Sequence, residues 1–95
     1  MPGSVAKGMS RIDVVLLTRN SEPTLERCLD SIFENVPVKN MIVVDGFSTD
    51  RTLKILRKYH EKHHNIVIVF DKGTRATGRQ KGIELVNTDW FMFVD

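Results

Sequence analysis

The chain contains little cysteine and proline and no long hydrophobic run. Its one cysteine, Cys28, cannot form an internal disulfide, and its position on an apolar helical stripe favours a packing role. No apolar run approaches the roughly 18 residues that a membrane-spanning helix requires. Residues 1–10 lack the apolar segment of a secretory signal, so we predict that they form a flexible tail. These absences favour a reducing, cytoplasmic location.

The size and composition indicate one small globular domain. With 95 residues, the chain is too short for two domains of about 100 residues each. Hydrophobic residues make up 41% and charged residues 27%, which is typical of a folded globular protein and not of a disordered segment. We therefore assign residues 11–95 to a single domain.

The net charge of +2 is unevenly distributed along the chain. From Arg51 to Lys81, nine basic residues stand against two acidic ones, which gives +7, whereas five basic and ten acidic residues elsewhere give −5. A basic half can face phosphates or an anionic membrane surface. Lys54 and Lys58 also have the spacing of a solvated helix face. Because the basic residues lack interleaved aromatic residues, we do not expect nucleic-acid binding.

Four short apolar runs predict β-strands, at residues 12–17, 41–44, 66–70 and 90–94. The first three are rich in β-branched residues, and apolar and polar residues hardly alternate in them. This pattern is typical of parallel strands that are covered on both faces. Three segments with helical periodicity separate them, and the third, at about residues 74–86, is the weakest because it contains Gly78 and Gly82. This βαβαβαβ pattern predicts an α/β fold, a doubly wound and mostly parallel four-stranded sheet in the order 3-2-1-4.

The common glycine-rich nucleotide motifs are absent. No GxGxxG follows the first strand and no GxxxxGK[ST] occurs, so neither a dinucleotide Rossmann site nor a P-loop is expected. Ligands of doubly wound sheets bind outside the carboxyl ends of the strands. The candidate residues therefore follow the four strands in turn: Thr18, Arg19, Asn20, Asp45, Gly73 and Asp95.

Four segments, in the right order, resemble family 2 glycosyltransferases of the GT-A fold. IVVDGFSTDRT at residues 42–52 resembles the family segment IVVDDGSTDGT, and VVLLTRN at residues 14–20 resembles its first strand. GRQKG at residues 78–82 is similar to the family's ARNxG, and FVD at residues 93–95 is similar to the start of its DxD element. The resemblance spans nearly the whole chain. It implies a Rossmann-like GT-A half that binds a nucleotide-diphospho-sugar, with a UDP- or GDP-sugar as donor and an inverting transfer.

The chain departs from this family pattern at several positions. Gly46 and Phe47 replace the more usual Asp and Gly, while Gly78 and Gln80 replace Ala and Asn. The family segment has two adjacent Asp residues, and only the first of them has a counterpart in this chain, Asp45. Two interpretations of Phe47 remain open, namely that it packs on the base or that it covers the end of the sheet.

The resemblance also implies roles for individual residues. Asp45 can accept a hydrogen bond from a uracil imide or a ribose hydroxyl, and its alternative role is a helix cap. Arg79 is a candidate for a pyrophosphate or base contact, and its alternative role is a surface ion pair. The nucleotide-binding residues implied in this way are Thr18, Arg19, Asn20, Asp45, Gly73 and Arg79.

Asp95 is the implied metal ligand, for Mg²⁺ or Mn²⁺. In the predicted strand order, the ends of the second and fourth strands lie roughly 10 Å apart, about the reach of a nucleoside diphosphate. In the family, the acceptor site and the general base lie beyond the DxD element. We therefore expect no catalytic residue within this chain and little or no transfer by the chain alone.

A second interpretation belongs to a different functional class. A small α/β interaction module would keep the fold, lack ligand binding and form a homodimer through the apolar edge strand between Trp90 and Val94. For the complete enzyme, peripheral association with a membrane is a further expectation.

Overall fold

The structure is a computed structural model that describes residues 10–94. Of the predicted tail, only Ser10 falls within the described residues. The elements alternate between strand and helix: β1 (Ile12–Thr18), α1 (Glu22–Asn35), β2 (Val38–Asp45), α2 (Thr52–His63), β3 (Ile66–Phe70), α3 (Arg75–Glu84) and β4 (Phe91–Val94). All strand pairs are parallel, and the order is β3-β2-β1-β4. The predicted fold class is therefore confirmed.

The helices lie on both faces of this sheet. Because side chains alternate along a strand, Val14 and Leu16 of β1 point to one face and Val15 points to the other. On the first face, the buried stripes of α1 and α2 complete the main core with Leu25, Leu29, Ile32, Leu56 and Tyr59. On the second face, α3 packs on β1 and β2 through its buried residues Gly78 and Gly82. The core thus lies between the sheet and the α1–α2 pair.

A buried carboxylate joins three segments at the amino end of β1. Asp13 is only 1% exposed. Its Oδ1 accepts a hydrogen bond from the backbone N–H of Asn40 at 3.2 Å, and its Oδ2 accepts one from the backbone N–H of Asn87 at 2.7 Å. The side chain therefore links β1 to β2 and to the segment between α3 and β4, at the end of the sheet opposite the β-strand carboxyl ends.

The contact between α1 and α2 contains aromatic and ionisable side chains. The Tyr59 hydroxyl donates a hydrogen bond to Asp30 Oδ1 at 2.7 Å. Burial and this carboxylate together raise the pKa of Tyr59 to about 12, because both disfavour the phenolate. The His63 ring stacks on Phe33 with centroids 3.8 Å apart, and burial lowers the pKa of His63. Both shifts favour the neutral form of the side chain where the two helices meet.

The two glycines of α3 predict opposite effects of the same substitution. In Gly82→Ala, the new Cβ would lie 2.5 Å from Val15 Cγ1, so we expect the unfolding free energy to fall by about 1–3 kcal/mol through overpacking. In Gly78→Ala, the nearest atom would be Leu17 Cδ2 at 3.4 Å, an ordinary contact. The better helix propensity of alanine should then raise the unfolding free energy by up to about 1 kcal/mol. Urea unfolding followed by circular dichroism measures both, and equal effects would contradict this account of the packing.

Candidate functional site

A cleft of about 810 Å³ opens at the carboxyl ends of β1, β2 and β3. The three ends are level, because Thr18 pairs with Asp45 and Asp45 pairs with Phe70. The loops after these strands supply about half of the lining, and the strands and helices beside them supply the rest. The volume falls within the roughly 300–1,000 Å³ of small-molecule sites. The lining residues include Thr18, Arg19, Gly46, Phe47, Asp71, Lys72, Gly73 and Arg75.

Asp45 is the last residue of β2 and lies between two lining residues of the cleft, Val44 and Gly46. Its side chain is fully buried, at 0% exposure. One carboxylate oxygen accepts hydrogen bonds from the hydroxyls of Thr18 at 2.6 Å and Ser48 at 2.7 Å, and the other accepts one from the backbone N–H of Ser48 at 2.7 Å. Asp45 therefore holds the end of β1 and the turn from Gly46 to Ser48 in one arrangement.

Asn20 joins the β1–α1 loop to the β2–α2 loop. Its backbone is in the left-handed region, with φ 46°, which asparagine tolerates better than most residues. Its side-chain oxygen accepts hydrogen bonds from the backbone N–H groups of Thr49 at 2.7 Å and Asp50 at 3.2 Å, and its own N–H donates to Ser48 Oγ at 2.8 Å. The Asn20 side chain is thus engaged in positioning the loops.

Asp50 accepts hydrogen bonds from the first turns of two helices. Its carboxylate accepts hydrogen bonds from the backbone N–H of Glu22 in α1 at 3.1 Å and from the backbone N–H of Thr52 in α2 at 2.9 Å. Desolvation raises its pKa, but the hydrogen bonds from Thr52 and Glu22 outweigh it and hold the pKa below the ordinary value. Ser21, by contrast, makes no side-chain cap on α1, and its hydroxyl accepts from the Arg19 N–H. A negative charge at two positive helix ends fixes their relative position.

The β3–α3 loop brings a helix N-terminus to the cleft. Thr74 caps α3 by accepting a hydrogen bond from the N–H of Thr77 at 3.3 Å, and the Thr77 hydroxyl donates to Asp71 Oδ2 at 2.6 Å. Gly73 is required here because a Cβ at that position would collide with the Thr77 hydroxyl. Helix N-termini favour anions, since their first N–H groups lack partners within the helix.

The charges of the cleft favour an anionic ligand. Among its lining residues, Arg19, Lys72 and Arg75 are basic, and Asp71 is the one exposed or half-exposed acidic residue. The Asp71 carboxylate already accepts the Thr77 hydroxyl. Three cations beside a helix N-terminus match the charge of a diphosphate.

The predicted site residues occupy three kinds of position. Thr18, Arg19 and Gly73 line the cleft; Asn20 and Asp45 support it, through the hydrogen bonds described above. Arg79 lies elsewhere on α3, with its guanidinium carbon 4.5 Å from the ring centre of Phe93 in β4. Whether each of these residues contacts a ligand stays a prediction.

The predicted metal ligand, Asp95, lies outside the described residues. Within residues 10–94, no three histidine, cysteine or carboxylate side chains come together as a metal site. β4 runs parallel to β1 and ends at Val94, opposite Leu16, so its carboxyl end points to the edge of the sheet that carries the cleft.

Two cationic residues of the cleft, Lys72 and Arg75, are not among the predicted nucleotide-binding residues. They lie on either side of Gly73, which is a predicted nucleotide-binding residue. Both belong to the segment with the local charge of +7. Lys72 follows the third predicted strand and Arg75 lies at the start of the next predicted helix, and these positions are the signal that could have identified them.

The comparisons with known proteins agree with this geometry. The family model described as glycosyl transferase family 2 matches residues 13–95. A poly(ribitol-phosphate) beta-glucosyltransferase of Bacillus spizizenii is 32% identical over 91 residues, which is 90% of this chain and 14% of that protein. A dolichyl N-acetyl-alpha-D-glucosaminyl phosphate 3-beta-D-2,3-diacetamido-2,3-dideoxy-beta-D-glucuronosyltransferase of Methanococcus voltae is 31% identical over 90 residues, 88% of this chain and 28% of that protein.

A solved structure is similar in both fold and sequence. It is the mannosyltransferase PcManGT from Pyrobaculum calidifontis in complex with GDP-Man and Mn²⁺, with a TM-score of 0.66 and 28% identity over 78% of this chain and 24% of that one. The chain thus spans less than a third of each of these relatives. No helix within residues 10–94 has the length and apolar character needed to cross a membrane. The parallel sheet, the cleft at its carboxyl edge and the match over residues 13–95 lead to one assignment, that the chain belongs to glycosyl transferase family 2.

Proposed function

We propose that this chain is the nucleotide-diphospho-sugar-binding part of an inverting glycosyltransferase that uses a UDP- or GDP-sugar. The observation that carries the proposal is the basic cleft at the carboxyl ends of β1, β2 and β3, where Arg19, Lys72 and Arg75 lie beside the N-terminus of α3. Such a site binds a diphosphate through charge and through backbone N–H groups. The membership in family 2 supports a sugar nucleotide as the source of that diphosphate.

In this proposal, some residues contact the nucleotide and others hold the loops around it. Thr18, Arg19 and Gly73 lie along the bound nucleotide, whereas Asn20 and Asp45 hold the two loops that shape its site. Asp45 also retains its proposed contact with the base or ribose, in addition to its hydrogen bonds with Thr18 and Ser48. Arg79 is proposed to leave Phe93 and reach the diphosphate when ligand is bound.

The metal of the proposed enzyme is Mg²⁺ or Mn²⁺, with Asp95 as its ligand in this chain. Two observations support this: β4 points to the edge that carries the cleft, and the complex of the similar mannosyltransferase contains Mn²⁺. When bound, such a metal neutralises charge that develops on the departing diphosphate. We propose no catalytic residue among these 95 residues, so the chain alone should bind the donor and transfer little or no sugar.

We propose that the complete enzyme acts in the cytoplasm, in peripheral contact with a membrane. The support is the basic segment from Arg51 to Lys81, because exposed basic residues attract anionic surfaces. Lys54 and Arg57 on α2 are exposed, on the side of the molecule away from the sheet.

Titration with UDP and GDP, with and without Mn²⁺, tests the proposed binding. In NMR spectra, we expect shifts of the backbone amides of Thr18 and Gly73. Arg75→Gln should weaken binding about tenfold, because a hydrogen bond to a charged group contributes about 1.5 kcal/mol or more. Lys58→Gln is the matched control, since Lys58 lies on α2, pairs with Glu26 at 3.2 Å and should not affect affinity. No shift at millimolar nucleotide would contradict the proposal.

The second candidate function is a non-catalytic module that forms a homodimer through the edge strand between Trp90 and Val94. The observation that favours it is the exposure of this segment: Trp90 is 80% exposed, Phe91 40% and Met92 37%. An apolar edge strand with unpaired backbone groups favours pairing with another chain. Light scattering on the same samples separates the two candidates, because a dimer that binds neither UDP nor GDP would favour the module.

A further inference from the structure

Phe47 has an unusual backbone conformation for its residue type. Its φ is 60°, in the left-handed region that favours glycine, and the residue follows Gly46 in the turn that Asp45 holds through Ser48. A bulky residue in this region is under conformational strain, and such strain concentrates at ligand sites. The chain thus keeps an aromatic residue at a position where glycine would be less costly.

The strained turn displays the Phe47 ring at the rim of the cleft. The ring is 48% exposed and is the one aromatic side chain among the lining residues. It contacts Phe70, with centroids 5.3 Å apart and planes inclined by 36°, and the Lys72 ammonium lies 5.2 Å from its centroid. These neighbours steady the ring. If Phe47 only covered the end of the sheet, we would expect its side chain to be mostly buried, because burial stabilises an aromatic side chain.

Two cations of the cleft, Arg19 and Lys72, lie near the turn that carries this ring. Gly46 lets the aliphatic part of Arg19 lie across the turn, since a Cβ there would be 3.3 Å from Arg19 Cδ. Arg19 and Lys72 therefore lie on the cleft beside Phe47, while Arg75 begins α3. An exposed aromatic face next to several cations is complementary to a ligand with a planar base at one end and a diphosphate at the other.

On the basis of the proposed function, we propose that Phe47 is the base-stacking residue of this cleft. The nucleobase of a nucleoside diphosphate packs on the Phe47 ring, and the diphosphate extends towards Arg75 and the N-terminus of α3. Phe47 contributes to affinity for the whole nucleotide but not for its inorganic part. Asp45 is the positioning residue of this contact, because its carboxylate holds the turn that presents the ring.

Calorimetric titration of Phe47→Gly with UDP, GDP and inorganic pyrophosphate tests this inference. Removing the stacking face should weaken binding of UDP and GDP by about 5- to 100-fold and leave the pyrophosphate affinity unchanged. Because glycine accepts a φ of 60°, the variant should fold with an equal or higher thermal midpoint. Phe91→Leu, at an exposed aromatic residue on β4, is the matched control and should leave all three affinities unchanged.

The possible outcomes separate the inference from the function on which it rests. Wild-type affinity of Phe47→Gly for both nucleotides would overturn the stacking role and leave the proposed function intact. An equal loss for pyrophosphate would also overturn it, because the ring would then act on the shape of the loop. If the unmodified protein bound no UDP or GDP, the proposed function and the stacking role would both be wrong.

Discussion

Replacing Asp13 with alanine should lower the free energy of unfolding by about 2–5 kcal/mol, because two backbone N–H groups lose their acceptor. Asn40 and Asn87 donate these hydrogen bonds at 3.2 and 2.7 Å to a carboxylate that is 1% exposed. Each hydrogen bond to a charged group contributes about 1.5–3 kcal/mol, and the half-buried Asn40 and exposed Asn87 can recover part of this by bonding to water. A 95-residue domain has a total stability of roughly 5–14 kcal/mol, so the variant should lose a large part of it.

Urea unfolding, followed by far-ultraviolet circular dichroism, measures the Asp13 effect. Asp13→Asn keeps one acceptor oxygen and should lose about half as much stability as alanine does. Asp89→Ala removes an exposed carboxylate near the same end of the sheet and should change stability by less than about 0.5 kcal/mol. An unfolding midpoint for Asp13→Ala equal to that of the unmodified protein would contradict the role of Asp13 in joining the three segments.

The fold was predictable from the sequence because its strands are short apolar runs. β3 spans the same residues 66–70 that the pattern predicts. β2 begins at Val38, three residues before the predicted start. The polar residues Lys39 and Asn40 interrupt the apolar pattern there, although Val38 still pairs with Ile12 of β1. β4 begins at Phe91, one residue after the predicted start at Trp90. Apolar patterns thus locate strands well, but they do not report pairing through polar residues.

The weakest predicted helix illustrates how packing overrides propensity. Gly78 and Gly82 lower the helix propensity of α3, yet both are buried against the sheet. A Cβ at Gly82 would lie 2.5 Å from Val15, so glycine is what permits this close approach. Helix propensity describes how much these glycines destabilise the helix by itself, but it does not include the close packing on the sheet that they allow.

The candidate site was predictable as a place but only partly as a set of side chains. Strand ends alone led to Thr18, Arg19 and Gly73, which line the cleft. The sequence could not predict that Asp45 would be buried, because that depends on how Ser48 folds back over the carboxylate. It also could not predict the contact of Arg79 with Phe93, since the direction of a helix face is set by the packing of α3 on the sheet.

Asp45→Ala is the second substitution with a large expected effect, and it should act on stability and binding together. Its carboxylate accepts three hydrogen bonds from Thr18 and Ser48. Hydrogen bonds to a charged group contribute about 1.5–3 kcal/mol each, but Ser48 is half-buried and its freed hydroxyl can bond to water. We therefore expect the unfolding free energy to fall by about 2–4 kcal/mol.

Binding distinguishes Asp45 from Asp13, the other buried aspartate that accepts backbone hydrogen bonds. At a low temperature where both alanine variants remain folded, Asp45→Ala should bind UDP and GDP at least about tenfold more weakly, because Thr18 and the turn carrying Phe47 are no longer held. Asp13→Ala should keep its affinity, since Asp13 lies at the opposite end of the sheet. If Asp45→Ala kept the nucleotide affinity of the unmodified protein, Asp45 would neither position the turn that carries Phe47 nor contact the ligand.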